Sequence, residues 1–228
     1  TFALGYAPDA YFAGGRWGEG SLLDHLRELG FSPTEILDAG LAVQTKKSQV
    51  NGLRKMGNGT TVKALEPALD YTSLMDRFRG RLMVPILDES GKKVIGFGGR
   101  EIPSPEEVKR QLSDYKAPKY LNSPESAVFE KKKILFGLSM AKRTLKRDGT
   151  DALLVVEGYM DAISLWDVGL GGAVASMGTA ISPEQLDAAA KTSGGRIVLC
   201  LDNDDAGIAA AERICSNGIL AEAARKNV

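Results

Sequence analysis

Three short, continuously apolar runs in the last third of the chain constrain its fold more than any other feature: ALLVV at 152–156, GAVAS at 172–176 and RIVLCL at 196–201. Runs of this kind, without polar alternation, are what strands look like when both faces of their sheet are covered. Each is followed by a helical pattern. Tyr159 to about Val168 has helical periodicity; SPEQLDAAAKT supplies Ser182 as cap, Pro183 at the first helical position and Gln185 to close a capping box; AGIAAAERICSN follows the third run. Strands alternating with helices predict a parallel α/β sheet.

That sheet has a chemical consequence. Glu157 directly follows the first run and Asp202 the third, so both fall at the carboxyl edge, where open parallel sheets form ligand crevices. Asp161 lies one helical turn after Glu157, and Asp204 stands two residues beyond Asp202, in the turn before a helix. Four carboxylates brought together repel one another unless positive charge sits between them. Hard divalent cations, bound by carboxylate oxygens and substrate phosphates, are the natural partner, and two such ions serve phosphoryl transfer. Acidic residues also cap helices after strands, but EGYMD after one strand and DNDDAG after a later one is a more specific combination. There is no GxxxxGK[ST] or GxSxG. His25, the single histidine, reads as a surface helix residue. Cys200 and Cys215 read as buried reduced thiols; without a CxxC they do not predict zinc.

The first 150 residues are of mixed type. SLLDHLRELG and SPTEILDAG are short, punctuated helices; Gln44 to about Asp70 turns polar and glycine-rich and reads as an exposed insertion. Arg81–Leu87 and Lys93–Phe97 form two β-rich runs across an ESG turn. A charged segment follows, then APKYLNSPES, whose prolines argue for a loop without regular structure. Net charge is zero but unevenly distributed: residues 71–147 hold 17 basic and 9 acidic side chains, residues 148–228 hold 5 and 12. A basic segment beside an acidic one suits a protein that grips phosphates with one part and binds cations with another. No apolar run approaches the roughly 20 residues of a membrane helix, and the opening on FALGYAPD suggests a piece of a longer protein.

LLVVEGYMDAISL, AVASMGTA and VLCLDNDDAG resemble the Toprim domain of bacterial primases, topoisomerases and some nucleases. Upstream, FALGYAPD, MDRFRGRLMVPILDESGKKVIGFGGR, PKYLNSPES and VFEKKKILFGL resemble, in order, the catalytic core of DnaG-type bacterial primases. The resemblance implies an N-terminal primase-core subdomain over 1–148 and a Toprim domain over 149–228, truncated before a further acidic cluster. It puts the family's metal-binding acids on Glu157, Asp161, Asp202 and Asp204, holding Mg²⁺ or Mn²⁺, more than one ion. It puts the basic ridge for template and nucleotide on Arg77, Arg79, Arg81, Arg100, Lys119, Tyr120, Asn122 and Lys131. The chain departs from the family at Asp205, usually a basic position, and in the long 44–70 segment.

The implied activity is a nucleotidyltransferase: short RNA primers made from ribonucleoside triphosphates on single-stranded DNA. The replicative helicase would be engaged through a domain outside this sequence. A monomeric fragment of a cytoplasmic replisome enzyme is expected, with a plastid or other organelle as the alternative setting. Two other readings stay open at this point, a Toprim nuclease or topoisomerase and a non-catalytic module binding single-stranded nucleic acid.

Overall fold

Ser21 and Ser32 open the two N-terminal helices as side-chain caps, accepting from Asp24 N and Glu35 N. The computed structural model describes residues 2–8, 21–45, 53–55, 61–63, 69–102, 118–149, 151–178, 180–194 and 196–216. Tertiary contacts divide the chain into two compact units: Ala3–Val84 with Phe97–Ser126, and Thr1–Phe2 with Pro85–Gly96 and Ala127–Val228. The tip of a hairpin and residues 127–148 thus group with the C-terminal part of the chain.

The first unit begins with β1 (Gly5–Ala7), α1 (Leu22–Glu28), α2 (Pro33–Asp38) and β2 (Ala42–Gln44). Two short strands, β3 (Leu53–Lys55) and β4 (Thr61–Lys63), pair antiparallel inside the segment expected to be an exposed insertion; the remainder of that segment up to residue 68 and the charged stretch 103–117 lie outside the described residues. β5 (Leu74–Asp76) pairs antiparallel with β2. Leu23, Ile36, Ala42 and Leu74 form the buried cluster beneath α1 and α2.

β6 (Arg81–Leu87), β7 (Val94–Glu101) and β8 (Tyr120–Asn122) join β1 in a sheet ordered β1-β6-β7-β8. β8 corrects the expectation that APKYLNSPES lacks regular structure: Tyr120, Leu121 and Asn122 pair antiparallel with Arg100, Gly99 and Gly98. Pro118 and Pro124 flank the strand instead of interrupting it, so neither removes a ladder hydrogen bond. β7 also runs further than the sequence pattern suggested, to Glu101, because β8 supplies it with a partner.

The second unit contains α3 (Leu138–Asp148), β9 (Ala152–Val156), α4 (Tyr159–Asp167), β10 (Ala173–Ala175), α5 (Pro183–Ser193), β11 (Arg196–Cys200) and α6 (Asp205–Ser216). The three strands are parallel in the order β10-β9-β11, as the apolar runs predicted. Leu153, Val155 and Val174 are buried among Leu145, Leu186 and Ile214 from the helices and Leu135 from the segment before α3. Both cysteines are free and exposed, contrary to expectation. β11 borders the three-stranded sheet, and its residues at 196, 198 and 200 are exposed while 197 and 199 are half-buried. Cys200 shares the open side.

A buried carboxylate ties the first unit together. Asp76, 5% exposed, accepts from Leu22 N (3.0 Å) through Oδ2 and from Leu23 N (2.9 Å) through Oδ1. Burial raises its pKa above the ordinary carboxylate value, against the opposing pull of these two N–H donors. Replacing Asp76 with Asn leaves one acceptor for two donors and turns an NH₂ toward an N–H. Asp76→Asn is expected to lower stability by about 1–3 kcal/mol, read as a lower urea midpoint at unchanged m-value.

Candidate metal and phosphate site

Parallel register brings the acidic residues to one edge. Val156 stands opposite both Ala175 and Cys200, so the three strands end level. The chain continues from these ends into Glu157, Ser176 and, after Leu201, Asp202. Glu157 is half-buried, whereas Asp161, Asp202 and Asp204 are exposed.

Three of the four carboxylates each lend one oxygen to a backbone N–H. Glu157 Oε1 accepts from Asp202 N at 3.0 Å, joining the ends of β9 and β11. Asp161 Oδ2 accepts from Gly158 N at 3.1 Å, reaching back over the first turn of α4. Asp204 Oδ1 accepts from Gly207 N at 2.8 Å and its carbonyl from Ile208 N at 2.9 Å, so Asp204 caps α6. The capping role and the cation-binding role are therefore compatible, since each bond uses a single oxygen. No Lys, Arg or His side chain among the described residues forms an ion pair with any of the four.

Among the described residues, no three His, Cys, Asp or Glu side chains form a ready-made metal cage. The donor set nevertheless fits a hard divalent cation. Its candidate donors are all oxygens, none is ion-paired to a side-chain cation among the described residues, and three of the four are exposed, an arrangement suited to one or two carboxylates sharing an ion with water and substrate phosphates. Position, not sequence type, makes Gly207 part of this site. A Cβ there would collide with the Asp202 carbonyl oxygen and come within 3.1 Å of Glu157 Oε1. A glycine inside a helical pattern was the available signal for such a close approach.

The basic candidates divide by environment. In the first unit, Arg100 and Lys119 both lie over the Tyr120 ring, 5.9 and 5.6 Å from its centroid, and Tyr120 is 40% exposed. Arg77 donates through Nε (3.2 Å) and Nη2 (2.8 Å) to the Asn122 carbonyl, and burial lowers its pKa. Arg79 is half-buried, with Nη1 3.9 Å from Met75 Sδ. Arg81 is 4% exposed and donates to the Gly99 carbonyl at 3.2 Å, where the missing Cβ of Gly99 makes room for it.

Lys131 belongs to the second unit, in a 3₁₀ turn (Lys131–Lys133). Gln185, fully buried, donates from Nε2 to the Lys131 and Ile134 carbonyls at 3.0 and 2.8 Å, and Ser182 Oγ donates to the Lys132 carbonyl. The capping box read from the sequence thus also fixes this turn. His25 is exposed on α1 in the first unit, whereas Glu157, Asp161, Asp202 and Asp204 belong to the second.

Two family profiles match in tandem: "DNA primase catalytic core, N-terminal domain" over residues 58–142 and "Toprim-like" over 154–226. The chain belongs to the bacterial DNA primase family, over its catalytic core. It is 38% identical over 210 residues to the DNA primase of Deinococcus radiodurans, covering 92% of this chain and 29% of that protein. It is 40% identical over 214 residues to the DNA primase of Synechococcus elongatus, covering 93% and 24%. A solved DnaG primase catalytic domain bound to ssDNA superimposes with a TM-score of 0.64 at 31% identity, covering 95% of this chain and 53% of that one. The sequence thus spans less than a third of the length of these two curated relatives. Nothing in these matches favours the strand-breaking or non-catalytic readings. No helix among the described residues is long and apolar enough to cross a membrane.

Gly207→Ala is expected to lower stability by about 1–3 kcal/mol, because the Asp202 backbone must move off Glu157. A lower urea midpoint checks it.

Proposed function

We propose that this chain is the nucleotide-joining part of a primase, building short RNA primers on single-stranded DNA from ribonucleoside triphosphates. The observation that carries the reading is the level carboxyl edge bearing Glu157, Asp202 and Asp204, with Asp161 one turn beyond. The tandem primase-core and Toprim matches support it.

In the proposed reaction, the 3′-hydroxyl of the growing strand attacks the α-phosphorus of the incoming triphosphate. A phosphodiester bond forms, the bond to pyrophosphate breaks, and the hydroxyl proton leaves to solvent or base. Glu157, Asp161, Asp202 and Asp204 are the residues to hold Mg²⁺ or Mn²⁺. Such ions, when bound, supply charge for the attacking and leaving oxygens. The chain's own contribution is to keep these oxygens at the strand ends, with Glu157 and Asp202 tied to each other and Asp204 tied to α6.

Phosphate binding falls to the basic set. Arg100 and Lys119 are the strongest candidates, because they are cationic neighbours of an exposed ring that can also stack on a base or ribose. Arg77 and Asn122 would support them through their mutual hydrogen bonds. Arg79 and Arg81 complete the proposed ridge in the first unit, with Arg81 the less accessible, and Lys131 is a further proposed phosphate contact in the second unit. The single-strand partner is supported by the DNA-bound structural relative. The domain assignment proposed is a nucleic-acid-gripping part within 1–148 and a metal-holding part within 149–228, working in the bacterial cytoplasm at the replisome alongside a helicase.

The test is primer synthesis on single-stranded DNA by the intact protein. Glu157→Gln and Asp202→Ala are each expected to reduce the rate at least a hundredfold, the scale set by losing charge stabilisation of a transition state; a rate equal to wild type in both would remove the assignment. Asp202→Ala should also lose Mn²⁺ affinity. Lys119→Ala should weaken single-strand binding and reduce the slope of log affinity against log salt by about one unit, for one lost phosphate contact.

A further inference from the structure

The loop after β10 carries the one buried, non-glycine residue in the described chain with a left-handed backbone. Met177 has φ +65° and is 2% exposed, and the following residue, Gly178, has φ +76°. A methionine gains nothing locally from this conformation, which costs roughly 1–2 kcal/mol for an L-residue; such a position is kept where the surrounding structure demands it.

Its surroundings are the backbone of Glu157. Ser176 N donates to the Val156 carbonyl at 3.1 Å, continuing the β9–β10 ladder by one step. Gly178 N then donates to the Glu157 carbonyl at 3.1 Å, and Ser176 Oγ approaches the same oxygen at 3.3 Å. Ser176 is fully buried. The two successive left-handed residues turn the chain so that the Ser176 hydroxyl and the Gly178 N–H converge on one carbonyl. A continued parallel ladder would step by two residues on both strands and send the Gly178 N–H to the Gly158 carbonyl, not to that of Glu157.

We propose that Ser176–Met177–Gly178 is a positioning turn for Glu157. It fixes the backbone of Glu157 from the β10 side while the Glu157 carboxylate holds Asp202 N on the β11 side. In this role the turn sets the place from which the Glu157 side chain reaches. Glu157 is the half-buried member of the acidic set, so its backbone is the natural part to anchor. The proposal rests on the metal-site reading of Glu157 given above.

Gly178 separates positioning from packing. A Cβ at Gly178 meets nothing within 4 Å, so a substitution there is opposed by backbone conformation alone. Asn tolerates the left-handed region far better than Ala, which makes Gly178→Ala the disruptive variant and Gly178→Asn the conservative rescue.

The experiment measures, in the intact protein, Mn²⁺ affinity by titration, kcat and KM for nucleotide incorporation, and the urea midpoint. Gly178→Ala is expected to weaken Mn²⁺ binding by up to about tenfold, the ratio to which a left-handed penalty of this class corresponds. It should lower kcat with little change in KM for the nucleotide, and Gly178→Asn should recover to within about twofold of wild type, the tolerance expected of an αL-compatible residue. Ser176→Ala should act in the same direction, more weakly. If Gly178→Ala lowers the urea midpoint but leaves Mn²⁺ affinity and kcat at wild-type values, the turn is merely structural and the proposal falls. Glu157→Gln distinguishes the two levels. Weakened Mn²⁺ binding in Glu157→Gln with wild-type binding in Gly178→Ala overturns the positioning role alone, and unchanged binding in both overturns the metal reading beneath it.

Discussion

The hydrogen bond from Asp202 N to Glu157 Oε1 is the contact on which the acidic edge depends. β9 and β11 are paired along their length, but the ladder ends at Val156 and Cys200. Beyond that point nothing in sheet geometry dictates where the chain goes. The Glu157 carboxylate extends the connection past the last ladder pair, and the bond, made to a charged acceptor, is worth about 1.5–3 kcal/mol when shielded and toward the lower end in an exposed setting. Gly207 is the matching steric condition. Helix α6 can come down onto the Asp202 carbonyl because no side chain intervenes. One carboxylate and one absent methyl group thus decide the path of the DxD loop.

The same set of acids faces a conflict between folding and the cation binding proposed for it. Left to themselves, four carboxylates at one edge would raise the free energy of the folded chain, and the chain answers with dipoles instead of basic side chains. Asp161 accepts from Gly158 N in the first turn of α4, and Asp204 caps α6, so two of the charges sit where helix N-termini favour anions. Lysine or arginine partners would have stabilised the fold equally well but would have competed with a metal. Backbone N–H groups stabilise one oxygen of a carboxylate and leave the other to bind.

This division explains what was legible in the sequence. The strand ends were visible because β9 and β11 are continuous apolar runs that Glu157 and Asp202 follow directly, although β11 is open on one face. The Ser182–Gln185 capping box was visible because capping is local chemistry. β8 was hidden, since its strand character comes from pairing with Arg100, Gly99 and Gly98 and not from its own composition. The exposure of Cys200 was hidden for a related reason: an apolar run does not say which of its two faces the rest of the chain will cover. Gly207 left a partial signal as a glycine inside a helical pattern, whereas the left-handed Met177 depends on the Glu157 backbone that approaches it from another strand, which no local window contains.

The basic residues show how composition overstates a binding surface. Residues 71–147 carry 17 cations, yet a phosphate can be neutralised only by a guanidinium or ammonium that reaches solvent. Arg81 spends its place inside the first unit, hydrogen-bonded to the Gly99 carbonyl. Arg77 commits two donors to the Asn122 carbonyl and is partly desolvated. These two hold β8 and the neighbouring strands in register, and their contribution to any ligand is indirect. Arg100 and Lys119, by contrast, flank an exposed aromatic ring with their charges still available. Cation–ring contacts of this kind are worth about 0.5–1 kcal/mol at exposed sites, enough to orient the side chains and too little to hold them against a phosphate. Of the proposed ridge, Arg77 and Arg81 are therefore committed to backbone carbonyls, whereas Arg100 and Lys119 rest against an aromatic ring.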